Sequence, residues 1–170
     1  MSPSATAPVV AAPSIRRRLA CMVYEALLVF GVVAISDFLF DVATQSRHAL
    51  MLRTTRQIFL FLVIGAYFCY CWCRHGQTLA MQTWRMRLVS ASGARVRLPA
   101  AMRRYVLAWM WFIPAMAIDY VLGLKGWPSI AVIGAGMLAW LATTRLDPGA
   151  QFLHDRLAGT RLIALPKKPA

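Results

Sequence analysis

Glu25 is the side chain best placed to do chemistry inside a membrane. It is the only charged residue between positions 19 and 36 of a long apolar run, and three consecutive arginines, 16 to 18, precede that run. A carboxylate is costly in contact with lipid, so we expect it to face protein, water or a bound partner. Glu25 is therefore a candidate site for a proton or another cation. The alternative is a structural acid that an arginine or tryptophan of another span satisfies.

Two further acids, Asp37 and Asp119, also lie in apolar runs and are the other candidates for an ion or proton site. Each lies near the C-terminal end of its apolar run, on the side of the membrane opposite the basic N-terminal flank. We expect capping or salt bridging there, with Arg53, Arg56 or Lys125 as the available cations. The alternative is that these acids form the mouth of a cation route.

The C-terminal region places His154, Asp155 and Arg156 next to one another. A histidine beside an aspartate suggests catalysis, but adjacent residues point to different helix faces and no serine or cysteine nucleophile has a recognisable setting. We therefore expect no enzyme activity and no catalytic residue. We predict that Asp155 accepts hydrogen bonds from backbone amides or from the arginines on the cytoplasmic side, among which Arg17 or Arg18 could bind it beneath the first span.

The cysteines offer no metal site. Cys69 and Cys73 share one face of a helix while Cys71 points away, so the three cannot bind one ion without unwinding the helix. The sequence also has no glycine-rich phosphate loop and no haem-binding pair. We expect no metal and no cofactor.

Four long apolar segments must position these side chains. Each approaches the ~20 residues that cross ~30 Å of hydrocarbon, and 59% of the 170 residues are hydrophobic. The sequence therefore predicts an all-α membrane protein with four transmembrane helices in one domain, 15–165, between a disordered tail, 1–14, and a C-terminal tail, 166–170. The spans are predicted at about residues 19–40, 57–73, 105–124 and 126–144.

The distribution of charge predicts the orientation. Fifteen of the 19 lysines and arginines fall on one side of the predicted spans and four on the other. By the positive-inside rule, both termini are cytoplasmic. The net charge of +13 clusters beside the spans, which favours a bilayer with anionic headgroups as the partner and argues against nucleic acid. Because four spans make a thin bundle, a homo-oligomer is a further expectation.

The segment between the second and third spans has strand and turn signals. Residues 86–89 and 95–98 alternate apolar and basic side chains on either side of a turn signal at 90–93. We predict a short β-hairpin in a small basic cytoplasmic cap, with 160–165 as a candidate third strand. We also predict that Pro114 kinks the third span.

Three separated stretches together resemble the RDD family of bacterial membrane proteins, over about residues 16–164. Their order and spacing fit the family, and the third stretch is the most specific. The stretches are RRLA at 17–20 with the acid Glu25; GQTL at 76–79, MRLV at 86–89 and RR at 103–104; and QFLHDRLAGT at 151–160.

The resemblance assigns roles to particular residues. The family is named for one arginine and two aspartates, which fall on Arg18 (with Arg17 as the alternative) and, for the second aspartate, on Asp155. Glu25 occupies the first aspartate position, which keeps the acid but lengthens it by one methylene. His154 and Arg156 complete the third motif. The resemblance implies a location in the bacterial inner membrane.

Two functions from different classes follow. One is transport of a cation or small solute, because the resemblance implies a transport role and one relative is linked to sodium–proton exchange. The other is a non-transporting assembly or interaction protein that uses its basic cytoplasmic face as a docking surface. The intramembrane carboxylates favour the first function. The lack of any span with several polar residues favours the second.

Overall fold

The computed structural model describes residues 12–45, 52–146 and 151–166. The predicted disordered tail, 1–14, lies outside these residues apart from 12–14, and the predicted tail 166–170 lies outside them apart from residue 166. Within the described ranges, four helices are long and apolar enough to cross a membrane, which confirms the predicted fold. They span Ile15–Thr44, Arg53–Arg74, Leu98–Leu122 and Trp127–Arg145.

The first two spans form an antiparallel pair, α1 (Ile15–Thr44) and α2 (Arg53–Arg74). Helix α1 begins before the apolar run because the Ser14 hydroxyl accepts a hydrogen bond of 3.4 Å from the Arg17 amide and so caps the helix. At the other end of α1, the Phe40 ring centroid lies 5.3 Å from that of Phe59.

The third span is broken in its middle. It consists of α4 (Leu98–Ala108), a 3-10 turn (Trp109–Trp111) and α5 (Ile113–Leu122). Pro114 lies in the first turn of α5, where its missing N–H costs no helical hydrogen bond. The predicted kink at Pro114 is therefore confirmed, in the form of a break.

The fourth span, α6 (Trp127–Ala142), returns against α5. Gly123 and Gly126 make the connecting turn with φ of 59° and 66°, a region that side chains disfavour. The two helices approach closely at Gly136, where an added Cβ would lie 2.5 Å from the Ala115 Cβ. A 3-10 turn, Thr143–Leu146, follows α6.

Two short helices and two strands cover one end of the bundle, and we call them the cap. They are α3 (Leu79–Thr83), β1 (Met86–Ser90), α7 (Leu153–Leu157) and β2 (Thr160–Ala164). Strand β1 pairs antiparallel with β2, from Met86 opposite Ala164 to Ser90 opposite Thr160. The predicted hairpin is thus corrected: the partner of 86–90 is the C-terminal strand, and 95–98 is not a strand.

Helix α4 explains why residues 95–98 do not pair. Arg97 is the N-cap of α4, and Pro99 fixes the first turn, so the segment is committed to starting a helix. The turn predicted at 90–93 does form, since the Gly93 amide donates to the Ser90 carbonyl at 2.9 Å. The sheet packs on the helix ends through one buried core, which includes Cys21, Trp72, Ala101, Met86, Leu88 and Leu162.

Candidate functional site

A cavity of about 320 Å³ lies where α1, α2 and α4 meet the cap. Most of its wall is apolar and aromatic. Its floor is formed by cap residues, including Met86, Phe152 and Leu162, all of which are buried. The charged, titratable and hydroxyl-bearing residues of the wall come from separate parts of the chain and include Arg18, Glu25, Thr78, Arg104 and His154.

Glu25 is held by two hydroxyl groups. Tyr67 of α2 donates a hydrogen bond of 2.8 Å from Oη to Glu25 Oε1, and Thr78 donates from Oγ1 to Glu25 Oε2. Thr78 is also the N-cap of α3, where its Oγ1 accepts from the Met81 amide at 3.2 Å. Because that lone pair is occupied by an N–H, the hydroxyl proton is available to Glu25.

The alternative of a structural acid named an arginine or a tryptophan as the partner of Glu25; groups of the protein do hold Glu25, but both are hydroxyls. Among the residues that the structure describes, no lysine, arginine or histidine forms an ion pair with Glu25. The two hydroxyls orient the carboxylate without supplying a positive charge.

Asp155 anchors α7 to the bundle. Its Oδ1 lies 2.7 Å from Arg104 Nη2, and the Asp155 side chain is completely buried. The Arg104 guanidinium also lies over the Trp72 ring, 4.4 Å from the centroid, which adds a cation–π contact to α2. The pair thereby connects the C-terminal segment with the second and third spans.

His154 lies beside this pair as an uncharged group. Its Nε2 is 3.5 Å from Asp155 Oδ1, and its ring stacks on that of Phe152 at 5.5 Å and on that of Trp140 at 6.3 Å. The pKa of His154 is lowered to about 4, chiefly by burial; the neighbouring Asp155 raises this pKa, and Arg104 and Arg18 lower it. The imidazole is therefore neutral at physiological pH.

The two candidate family arginines have different surroundings. Arg17 donates to the carbonyls of Trp84 and Arg85, the second at 2.8 Å, and so attaches α1 to the segment before β1. Arg18 is 1% exposed, lines the cavity and donates from Nε to the Pro13 carbonyl at 2.9 Å.

Arg104 is one of the arginines predicted to be cytoplasmic, so the prediction that such an arginine bonds Asp155 is confirmed. The narrower hypothesis that this arginine is Arg17 or Arg18 is corrected, because the ion pair of Asp155 is with Arg104. Arg18 nevertheless lies next to the same segment, since its Cζ is 5.4 Å from the centroid of the Phe152 ring.

The sequence model of the RDD family matches residues 12–159, most of the chain. The chain belongs to the RDD family. No curated protein and no solved structure matches it significantly.

In this RDD protein the three residues that the resemblance assigned to the family motif, Arg18, Glu25 and Asp155, lie at one end of the bundle. Arg18 and Glu25 line the cavity, while Asp155 lies behind the wall and holds two lining residues, Arg104 and His154. The motif residues, far apart in sequence, thus surround a single space. Arg156, the last of the third motif, is exposed and is not among the lining residues.

The other predicted candidates lie elsewhere in the RDD fold. Asp37 is 3.3 Å from Arg56, which also pairs with Asp41, so the predicted salt bridging is confirmed for Asp37. Asp119 lies on α5, and its Oδ1 is buried without a hydrogen-bond partner among the described residues. Asp37 and Asp119 are not lining residues of the cavity and do not join Glu25 in one site.

Sequence reasoning assigned no site role to Tyr67, Thr78 or Arg104, although Thr78 and Arg104 belong to the GQTL and RR motifs of the family resemblance. A tyrosine in an apolar span or a threonine in a loop is common, so its residue type alone does not predict a functional role. Arg104 carries a usable signal, since Ala101 and Ala108 lie three residues before and four after it and share its helix face. Ala101 is fully buried and Ala108 lines the cavity. Among the described residues, no group of three His, Cys, Asp or Glu side chains is suited to a metal ion.

Proposed function

We propose that this RDD protein binds a cation or small cationic solute at Glu25 and carries it across the bacterial inner membrane. The observation that carries the proposal is the setting of Glu25. It is a carboxylate on a membrane span, at the wall of a cavity, held by Tyr67 and Thr78 and without an ion-pair partner among the described residues. A carboxylate in such a place requires a proton or a cation for charge balance.

The broken third span supports a binding site at the same place. Trp109, Trp111 and Phe112, which form the break between α4 and α5, are all lining residues of the cavity. Transporters commonly build their substrate sites around discontinuous membrane helices, because the break gives the site groups that a continuous helix withholds.

We place the cap in the cytoplasm. The support is the distribution of lysine and arginine, fifteen on the cap side of the spans and four on the other. With that orientation, Glu25 follows Leu19 by six residues and lies about 9 Å below the cytoplasmic boundary. A cation that reaches the cavity is then close to the inner face of the membrane.

A flux measurement tests the proposal. The purified protein is reconstituted into liposomes that enclose a pH-sensitive dye, and a pH gradient or a sodium gradient is imposed. We expect the gradient to dissipate faster than in protein-free liposomes and faster than with Glu25→Gln. Rates that match those of protein-free liposomes under both gradients would contradict transport of protons and of sodium. Organic cations are tested separately, by the binding and flux of decyltrimethylammonium.

The second candidate function is an assembly or interaction protein, and the outer face of the sheet favours it. Arg87 and Arg161 are exposed on β1 and β2, on the face that points away from the buried core. Such a face suits an acidic partner or anionic headgroups. A double Arg87→Ala, Arg161→Ala variant that loses function in cells while Glu25→Gln keeps it would favour this alternative.

A further inference from the structure

The cavity is closed at one end and open at its side. The floor residues Met86 and Phe152 are each 2% exposed. By contrast, three lining residues on the membrane spans are exposed: Met22 and Ala26 on α1 and Phe112 at the break in the third span. The opening, which we call the mouth, therefore lies between α1 and the broken span and faces the surroundings of the helices.

We propose that the ligand of this cavity is an amphipathic organic cation that enters from the bilayer through the mouth, places its charged group on Glu25 and lays its apolar part against the aromatic wall. This inference rests on the proposed function, of which it specifies the substrate class. A second observation, independent of Glu25, is the composition and position of the wall itself.

The mouth lies at the depth of the hydrocarbon, so a ligand that enters through it must dissolve in lipid. Met22 and Ala26 follow Leu19, the first residue of the apolar run, by three and seven residues, which places them about 4.5 and 10 Å inside the hydrocarbon. A hydrated inorganic ion is strongly disfavoured at this depth, whereas an amphiphile partitions there through its apolar part.

The wall is suited to an organic ligand. Aromatic rings of Phe68, Tyr105 and Trp109 line the cavity, and such rings bind organic cations through their faces as well as through apolar contact. A volume of about 320 Å³ exceeds what a bare ion requires and falls in the range of small-molecule sites.

The positively charged side chains of the wall are balanced by an acid or lie away from Glu25, so they do not repel a cation bound at that end of the cavity. Arg104 is paired with Asp155 and stacked on Trp72, so its charge is already balanced. Arg18 lies towards the floor, beside Phe152, seven residues before Glu25 and about 10 Å away along the helix axis. His154 is uncharged at neutral pH. The negative end of the cavity is thus the end that the mouth reaches first.

Binding to protein in nanodiscs tests the inference. The ligands are decyltrimethylammonium, tetramethylammonium and decyl sulfate, and the signal is tryptophan fluorescence, since three of the lining residues are tryptophans, with protein-free nanodiscs subtracted. We expect saturable binding of decyltrimethylammonium, at least about tenfold tighter than that of tetramethylammonium because of its apolar chain. Glu25→Gln should weaken it about tenfold or more, and decyl sulfate should not compete.

A matched pair of α1 variants tests the route. Ala26→Phe fills the mouth, while Ala34→Phe adds the same ring at an exposed position on α1 that does not line the cavity. We expect Ala26→Phe to slow or abolish binding of decyltrimethylammonium and Ala34→Phe to leave it unchanged. Equal effects of the two variants, or equal affinity for the long and short cations, would overturn the inference.

The outcomes separate this inference from the proposed function. Glu25-dependent flux of protons or sodium without saturable decyltrimethylammonium binding would leave the proposed transport standing and overturn the amphipathic ligand. Glu25-dependent binding of decyltrimethylammonium without flux of that cation, protons or sodium would support the ligand class and contradict transport.

Discussion

Arg104 of α4 and Asp155 of α7 form an ion pair, 2.7 Å from Nη2 to Oδ1, although fifty residues separate them in the sequence. Both side chains are buried, and the arginine also covers the Trp72 ring. The pair therefore fixes the C-terminal segment, with its strand β2, to the end of the bundle. Because Arg104 and its neighbour His154 line the cavity, the pair also shapes the candidate site.

The first prediction concerns this pair. Asp155→Ala should destabilise the protein by about 3–5 kcal/mol, because it leaves the Arg104 charge buried without its partner. The melting temperature of detergent-solubilised protein measures the loss. In the double variant with Arg104→Ala, the loss should be smaller than the sum of the two single losses, which is the mark of direct coupling.

Arg103 provides the control for that cycle. It is adjacent to Arg104 but exposed, so Arg103→Ala should change the melting temperature little and should add independently to Asp155→Ala. Strict additivity of Arg104→Ala and Asp155→Ala would show that the two residues do not stabilise one another.

The second prediction is a pH dependence that comes from His154. Its pKa in the folded protein, about 4, lies below its ordinary value of 6.5, so the unfolded chain binds this proton more strongly. The stability is fully present above about pH 6.5 and is lost as the pH falls towards 4. The shift corresponds to about 3 kcal/mol. Melting temperatures should fall over this window more steeply in the wild type than in His154→Phe, which keeps the ring stacking.

His75 is a suitable comparison for His154, because it is exposed. The variant His75→Phe should retain the steep wild-type dependence on pH. If His154→Phe loses stability on acidification as steeply as the wild type, His154 is not the group responsible.

The third prediction concerns the packing of the last two helices. Gly136→Ala should destabilise the protein by about 1–3 kcal/mol, because its new Cβ would lie against Ala115. Gly134 lies on the same helix with nothing within 4 Å of an added Cβ, so Gly134→Ala should not destabilise. Both changes raise helix propensity equally, and the difference in melting temperature therefore reports the contact alone. Equal melting temperatures would contradict the close approach.

The fourth prediction is the orientation in the membrane. Alkaline phosphatase is active only outside the cytoplasm, so a fusion after Lys125, in the turn between α5 and α6, should be active. A fusion after Arg95, in the cap, should be inactive. An active fusion at Arg95 would reverse the orientation and place Glu25 near the opposite face.

The helices could be predicted from the sequence because each depends on residues that are close together in the chain. Long apolar runs predict spans by length and composition, and Pro114 marks the break in the third span. The helices extend beyond the predicted spans by turns of polar residues, which a hydropathy pattern does not predict. Ser14, for example, caps α1 five residues before the apolar run begins at Leu19.

Contacts between residues that are distant in the sequence could not be predicted from such local patterns. Residues 95–98 alternate as a strand does, but alternation does not say which segment will pair, and β2 is some seventy residues from β1. The same holds for the site. The type and position of Glu25 predicted an intramembrane acid, yet its partners Tyr67 and Thr78 are ordinary hydroxyl residues whose role depends on the fold.

The central claim is that Glu25 is the cation site of this protein, and its charge is the property to test. In proteoliposomes, we expect Glu25→Asp to retain partial flux, because it preserves the acid. Glu25→Gln should abolish flux while keeping a melting temperature close to that of the wild type, because the amide keeps the shape of the side chain, its Oε1 accepts from one of the two hydroxyls and its Nε2 donates to the oxygen of the other. A Glu25→Gln protein that folds normally and supports wild-type flux would contradict the account.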